Sequence, residues 1–237
     1  MRTFCNIITD GMLDYLVAIY ELSETNDRIS TSVLAQKMDV SPAAASSMTK
    51  RLTETGHVVR SVRTGIQLTG QGRLAALQLL RRHRLLEVFL IEVMGFTWDQ
   101  VKAEAMRLEH AISAEFEKRM EILCNYPTHC PHGDPVPSED GRILSEELVC
   151  LAELQPGQAG ELRRVANHSA PMLRYLSQLN LEPGYKIRVL NVEPFDGPST
   201  VQIQDEGTQA DPESLVKIIG RSLAKRLFVK LTEQAAA

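Results

Sequence analysis

The chain has 237 residues, 43% of them hydrophobic and 24% charged, with a formal net charge of −4 at pH 7. That composition excludes a disordered chain, a collagen-like repeat and a small disulfide scaffold, and no apolar run approaches the roughly 20 residues a membrane helix needs. The opening MRTFCNIITDGMLDY has no continuous apolar stretch and no small-residue cleavage site, and Cys5, Cys124, Cys130 and Cys150 are too scattered for a disulfide framework; a cytoplasmic protein with no membrane partner is expected.

Met12, Tyr15, Leu16, Ile19 and Tyr20 recur near helical spacing, which predicts a first helix from Asp10 or Gly11 to about Ser23–Asn26. Ser30 or Thr31 caps a short second helix. Asp39-Val40-Ser41-Pro42 makes a tight connection, with Ser41 as N-cap and Pro42 at the first position of a third helix reaching about Thr55. Gly56 stops that helix, and HVVRSV, RTG and IQLT read as two strands around a turn. The order is that of a winged helix-turn-helix over residues 1–72, whose third helix enters the DNA major groove.

Charge fits this reading. From Ser47 to Arg84 eight basic residues stand against the single acid Glu54, a stretch able to face phosphate. Ser41, Pro42, Ala43, Ala44, Ser46 and Ser47 keep the start of the third helix small enough to approach base edges. Lys50, Arg51, Arg60 and Arg63 suit phosphates, and Thr31 is expected among the DNA-binding residues.

From Gly70 a long helix, apolar on more than one side, runs to about Val93; Gly95 breaks it, and Thr97-Trp98-Asp99 starts another, Val101 to Cys124. Between Leu85 and Cys124 eight acids face four bases, so cations can collect there. Residues 73–142 are expected to form a helical dimerisation and metal-binding domain, closed by a Pro-rich linker from Asn125 to Gly141. GELRRVA, YKIRVLNVE, TVQIQDE and RLFVKL then alternate as short strands around the helix PMLRYLSQLNL, a small β-rich barrel over residues 148–233. The fold class is mainly α with a β-rich C-terminal module.

Met106, Glu109 and His110 stand at i, i+3 and i+4, placing a thioether, a carboxylate and an imidazole on one helical face, with Asp14 of the first helix available as a fourth donor. Such a set suits Fe²⁺ or Mn²⁺ rather than Ca²⁺, and Zn²⁺ also fits. His83 and Glu87, again four apart, can be joined by Cys130 and His132 of HCPHG in a softer set. The blander alternatives are an exposed helix face for the first set and an inert thiol for the second. No nucleophile elbow, glycine-rich phosphate loop or HExxH pair anchors a catalytic reading.

DYLVAIYEL, VSPAAASSMTKRL, RRHRLLEVFL, EAMRLEHAIS and YPTHCPHGDPVP, colinear over the whole chain, resemble the diphtheria toxin repressor family. LAELQPGQAGELRRV, LEPGYKIRVL and LFVKL resemble that family's SH3-like domain, akin to the ferrous-transport A-type module, and CPHG resembles its manganese-responsive, three-domain branch. The resemblance implies a homodimeric, metal-activated transcription factor that represses metal-uptake genes at a roughly palindromic double-stranded operator, catalyses no reaction and takes no small-molecule substrate. It implies a regulatory metal site of Asp14, Met106, Glu109 and His110, and an ancillary one of His83, Glu87, Cys130 and His132, with His168 (or Ser169 or Asn167) as a third-domain ligand.

Asp14 is the residue typical of manganese-type members, where iron-type members carry Met; Met106 stands where manganese-type members usually have Glu and iron-type members Cys. Lys102 replaces the histidine of the iron-type ancillary site, and Val17 occupies the position of an extra carboxylate in the short manganese regulators. The implied cofactor is Mn²⁺, with Fe²⁺ the alternative and Zn²⁺, Co²⁺ or Cd²⁺ able to substitute in vitro. Two other readings remain: a redox- or ligand-responsive winged-helix regulator, and a metallohydrolase built on the His83, Glu87, Cys130 and His132 set.

Overall fold

A computed structural model of the chain describes residues 8–166, 168–204 and 215–232; Cys5, Asn167 and the end of the expected strand TVQIQDE lie outside them. No helix among the described residues is long and apolar enough to cross a membrane. The chain forms two compact units: the described residues up to His83 with Leu108–Ser113 and Pro137–Ile143, and Arg84–Arg107 with Ala114–Val136 and the described residues from Leu144 onward.

In the first unit, α1 (Asp10–Ser23) buries Met12, Tyr15, Leu16 and Ile19, the i, i+3, i+4, i+7 stripe. Ser30, not Thr31, caps α2 (Thr31–Lys37), its hydroxyl accepting from the Val33 amide at 3.2 Å. Asp39 turns the chain in the left-handed region (φ 53°), a conformation a short polar side chain tolerates. Ser41 then caps α3 (Pro42–Glu54), accepting from the Ala44 amide at 3.2 Å with Pro42 in the first turn. Ala45, Thr49 and Leu52 face the core, and the Thr49 hydroxyl is satisfied by the Ala45 carbonyl at 2.7 Å.

The wing pairs β1 (Val58–Ser61) with β2 (Gly65–Leu68), antiparallel from Val58 opposite Leu68 to Ser61 opposite Gly65. Gly65 has φ +75°, and a Cβ there would sit 2.2 Å from the Ile29 carbonyl oxygen. That carbonyl accepts the Ile66 amide at 2.9 Å, so glycine lets the wing be tied to the residue before the N-cap of α2. Thr69 opens α4 (Gly70–Glu92), its hydroxyl accepting from the Gly72 amide at 3.1 Å.

The single helix expected over Val101 to Cys124 is instead two. The first, α5, spans Val101–Leu108 and the second, α6, spans Ala114–Leu123. The amides of Ala111 and Ile112 both turn back to the Leu108 carbonyl, and Ser113, a residue type favoured just before a helix, precedes α6. Asn125 and Tyr126 end α6 in left-handed conformations.

The Pro-rich segment that follows is no loose linker. The Cys130 amide bonds the Asp134 carbonyl and the Val136 amide bonds the Thr128 carbonyl, both at 2.8 Å. Cys130, His132 and Val136 are buried, and Arg84 donates to the Pro135 carbonyl at 2.6 Å. Prolines cannot supply amides, so the segment is held by its non-proline amides and by arginine donors.

An antiparallel sheet completes the second unit in the order β3-β8-β4-β5-β6-β7: Val149–Cys150, Leu227–Leu231, Ala159–Val165, Lys186–Val192, Ser199–Gln204 and Val216–Ile219. Helix α7 (Ala170–Gln178) and the short α8 (Arg221–Ala224) flank it. Leu162, Ile187, Val189, Val201, Ile203, Ile219, Leu227 and Val229 form its core with Leu173 and Leu176 of α7. Trp98 joins that core, its indole N–H donating to the Ser177 hydroxyl at 2.7 Å.

Candidate metal centres and nucleic-acid interface

The outer face of α3 is polar and small. Ser41, Pro42, Ala43, Ala44, Ser47, Lys50 and Arg51 are exposed and Ser46 is half-buried, because Ala45, Thr49 and Leu52 take the inward stripe. The Ser41 hydroxyl is engaged in the cap, which restricts its role at DNA to the start of the helix. Arg60 and Arg63 are exposed on the wing, and the Arg60 guanidinium reaches the Thr31 hydroxyl at 3.4 Å. The expected base-facing and phosphate-facing residues therefore lie on the exposed surface of the first unit, with Thr31 engaged by Arg60.

Donor groups converge in the same unit. Asp14 of α1, Glu109 and His110 bring one ligand atom each within 4.8 Å of one another. His110 Nε2 lies 2.7 Å from Asp14 Oδ1 and 3.8 Å from Glu109 Oε1. Glu109 and His110 follow the last turn of α5, so the break after Leu108 is what turns both side chains toward α1. Arg82 anchors this turn by donating to the Glu109 carbonyl at 3.1 Å. Met106, expected in the same set, is 58% exposed on α5 and belongs to the other unit.

His83 Nδ1 lies 2.5 Å from Glu109 Oε2, so its ring supports the Asp14, Glu109 and His110 cluster. Successive turns of α4 meet different neighbours: the turn with His83 meets the segment after α5, and the turn with Glu87 meets the Pro-rich segment.

In the second unit Glu87, Cys130 and His132 also bring ligand atoms within 4.8 Å of one another, and all three are buried. His132 Nδ1 lies 3.5 Å from Glu87 Oε1 and 3.9 Å from Cys130 Sγ. Its Nε2 lies 2.9 Å from the Trp98 carbonyl oxygen. A carbonyl only accepts, so Nε2 carries the proton and Nδ1 is the nitrogen offered to an ion. His168 is not among the converging atoms; its ring stacks on that of His132, centroids 3.9 Å apart and planes at 18°. Burial, and next the charge of Glu87, pushes the Cys130 thiol well above its ordinary range.

Both donor sets fit a divalent cation. The first offers two carboxylate oxygens and an imidazole, the second a carboxylate, an imidazole and a sulfur, the harder and softer halves of transition-metal ligation. A second buried thiol among the described residues, Cys124, is pushed up to about 11 by burial, with Glu92 adding to the shift. Two features escaped the sequence reading: the Trp98 carbonyl, which has no side-chain signature, and Asp10, whose Oδ1 lies 3.6 Å from His110 Nδ1. The four-residue spacing of Asp10 and Asp14 was the available signal for the latter.

Residues 8–66 match the family described as the N-terminal DNA-binding domain of iron dependent repressors, and residues 69–138 match their metal binding and dimerisation domain. Residues 149–231 match the FeoA domain. The chain is 31% identical over 172 residues to the iron-dependent repressor IdeR of Mycobacterium leprae, covering 69% of this chain and 75% of that protein. The IdeR of Mycobacterium tuberculosis is 34% identical over the same shares.

Among solved structures, a manganese-dependent transcriptional repressor in complex with manganese superposes with a TM-score of 0.83 at 33% identity, covering 93% of this chain and 100% of the other. ScaR with bound Cd²⁺ gives 0.77 at 30% identity, covering 92% and 98%. The winged helix, the two donor clusters and these likenesses along the chain agree: the protein belongs to the diphtheria toxin repressor family of metal-dependent transcriptional repressors.

Proposed function

We propose that this protein is a homodimeric, metal-activated repressor of metal-uptake genes, acting in the cytoplasm on a roughly palindromic operator and catalysing no reaction. The observation that carries the proposal is the meeting of Asp14, on the first helix of the DNA-binding domain, with Glu109 and His110 from a segment ninety-odd residues later. The domains proposed are residues 1–72, 73–142 and 148–233, supported by the three matched ranges.

Asp14, Glu109 and His110 are the proposed regulatory ligands, with Met106 a fourth donor on sequence spacing. Glu87, Cys130 and His132 are the ancillary ligands. A bound divalent cation supplies positive charge that draws the carboxylates of separate segments together. The chain's own part is to hold those donors on elements that carry the reading helix. Asp14 fixes α1 and hence the core on which α3 packs; Glu109 is aligned by His83 and Arg82. Cation affinity that differs between two spacings of the reading heads is then the coupling to operator binding.

Mn²⁺ is the proposed ion, on the hardness of two carboxylate donors, with Fe²⁺ the alternative. Self-association is supported by Val93, Met94, Phe116, Ile122, Leu123 and Tyr126, large apolar side chains left exposed in the second unit. A redox switch at Cys130 is disfavoured by its burial, which keeps oxidants from the thiol.

The test is fluorescence anisotropy of the chelator-stripped protein on DNA from upstream of its own gene and of neighbouring transporter genes, titrating Mn²⁺, anaerobic Fe²⁺ and Zn²⁺ separately. A rise in affinity of about 5–150-fold with Mn²⁺ or Fe²⁺ is expected. Affinity independent of every ion on every fragment would overturn the reading.

A further inference from the structure

His110 presents an asymmetry. Its Nε2 faces the cluster, 2.7 Å from Asp14 Oδ1 and 3.8 Å from Glu109 Oε1. Its Nδ1 is buried and makes no hydrogen bond among the described residues, although Asp10 Oδ1 stands 3.6 Å away. A buried ring nitrogen without a partner is costly, and one beside a carboxylate just outside bonding distance indicates a contact that closes in another state. Asp10 and Asp14 lie four residues apart on α1, so one helical face presents a carboxylate to each nitrogen of the same imidazole.

We propose that Asp10 is a positioning residue for the regulatory site: it accepts the Nδ1–H of His110 and thereby holds Nε2 toward the cation. The inference rests on the reading of Asp14, Glu109 and His110 as cation ligands. When Nε2 donates its lone pair to an ion, the ring's one proton sits on Nδ1, and a carboxylate acceptor there fixes the ring plane and raises the basicity of Nε2. The Asp10 side chain is 73% exposed, so rotation about its own bonds closes the gap without disturbing the core.

The competing account makes Asp10 only a favourable charge in the first turn of α1, where the positive end of the helix dipole attracts any acid. The two accounts separate on asparagine, which keeps an acceptor oxygen and loses the charge.

The experiment uses the full chain. Free Mn²⁺ is followed by electron paramagnetic resonance during titration of wild type, D14A, D10A and D10N, the regulatory site being the class of binding lost in D14A. We expect D10A to weaken that class by about tenfold and D10N to restore most of it. In parallel, imidazole ¹⁵N spectra with diamagnetic Cd²⁺ should show His110 protonated at Nδ1, with that resonance displaced in D10A and recovered in D10N.

Wild-type affinity in D10A, or equal losses in D10A and D10N, would overturn the positioning role. A D14A protein that binds Mn²⁺ with every class intact would instead overturn the regulatory-site assignment, and the Asp10 role with it. Thermal unfolding of the metal-free variants verifies that each is folded; D10N carries the test if D10A is not.

Discussion

The two donor clusters differ in how they are built. Asp14, Glu109 and His110 are drawn from separate segments, and the side chains of Asp14 and His110 remain 42% and 20% exposed. Glu87, Cys130 and His132 are buried, hydrogen-bonded into the Pro-rich segment and the Trp98 carbonyl, and continuous with the sheet through the bond from the Val165 amide to the His132 carbonyl at 2.9 Å. The first is partly open to water, with only Glu109 buried. The second is a dry, preorganised pocket, where an unfilled donor cannot be rehydrated cheaply. A sensor needs the former and a structural cation the latter, so the lesson is that exposure, not donor count, marks the cluster suited to switching.

The sharpest way to break that contrast is D14A. We expect the metal-dependent gain in operator affinity to fall by about 5–150-fold, while metal-free, salt-sensitive binding is nearly unchanged; an undiminished metal response in anisotropy would remove the distinction. C130S tests the other cluster. Exchanging a soft sulfur for a hard hydroxyl should reduce Cd²⁺ affinity far more than Mn²⁺ affinity, as read by competition calorimetry, and leave the Asp14 class of sites untouched.

The reading head gives a smaller effect. K50A should weaken binding uniformly across DNA sequences and reduce the slope of log affinity against log salt by about one. Its partner contact with Glu54, at 3.8 Å between exposed side chains, is too weak to compete with phosphate.

The smallest effect concerns the sheet. A hydrogen bond from Arg163, followed by the charges of Arg163, His129 and Lys230, holds the Glu146 carboxyl below the usual carboxylate range. Its folded value is thus lower than its unfolded one. The stabilisation is complete above the ordinary carboxylate range and disappears as pH falls through the folded value. E146Q should cost under about 1 kcal/mol at pH 7 and nothing in strong acid, measured by urea unfolding at both pH values.

Much of the reading head was legible in the chain. Ser41-Pro42 started α3 where capping chemistry says it should, and the β-branched run after Gly56 paired as the wing around a glycine that the Ile29 carbonyl makes obligatory. The acidic segment was less legible. Its uninterrupted helical periodicity concealed the break after Leu108, which no glycine or proline marks. The strands Val149–Cys150 and Val216–Ile219 were missed for a related reason: short edge strands are defined by what they pair with.

By itself the sequence determined the elements whose signals are local: caps, turns, helical stripes, the segregation of basic and acidic residues, and the residue types able to hold a cation. Only the tertiary structure decided which donors share a cluster. It set His83 against Glu109, stacked His168 on His132 and set Asp10 beside His110. Spacing along a helix limits which side chains share a face, but the neighbour each face meets depends on packing between segments far apart in the chain.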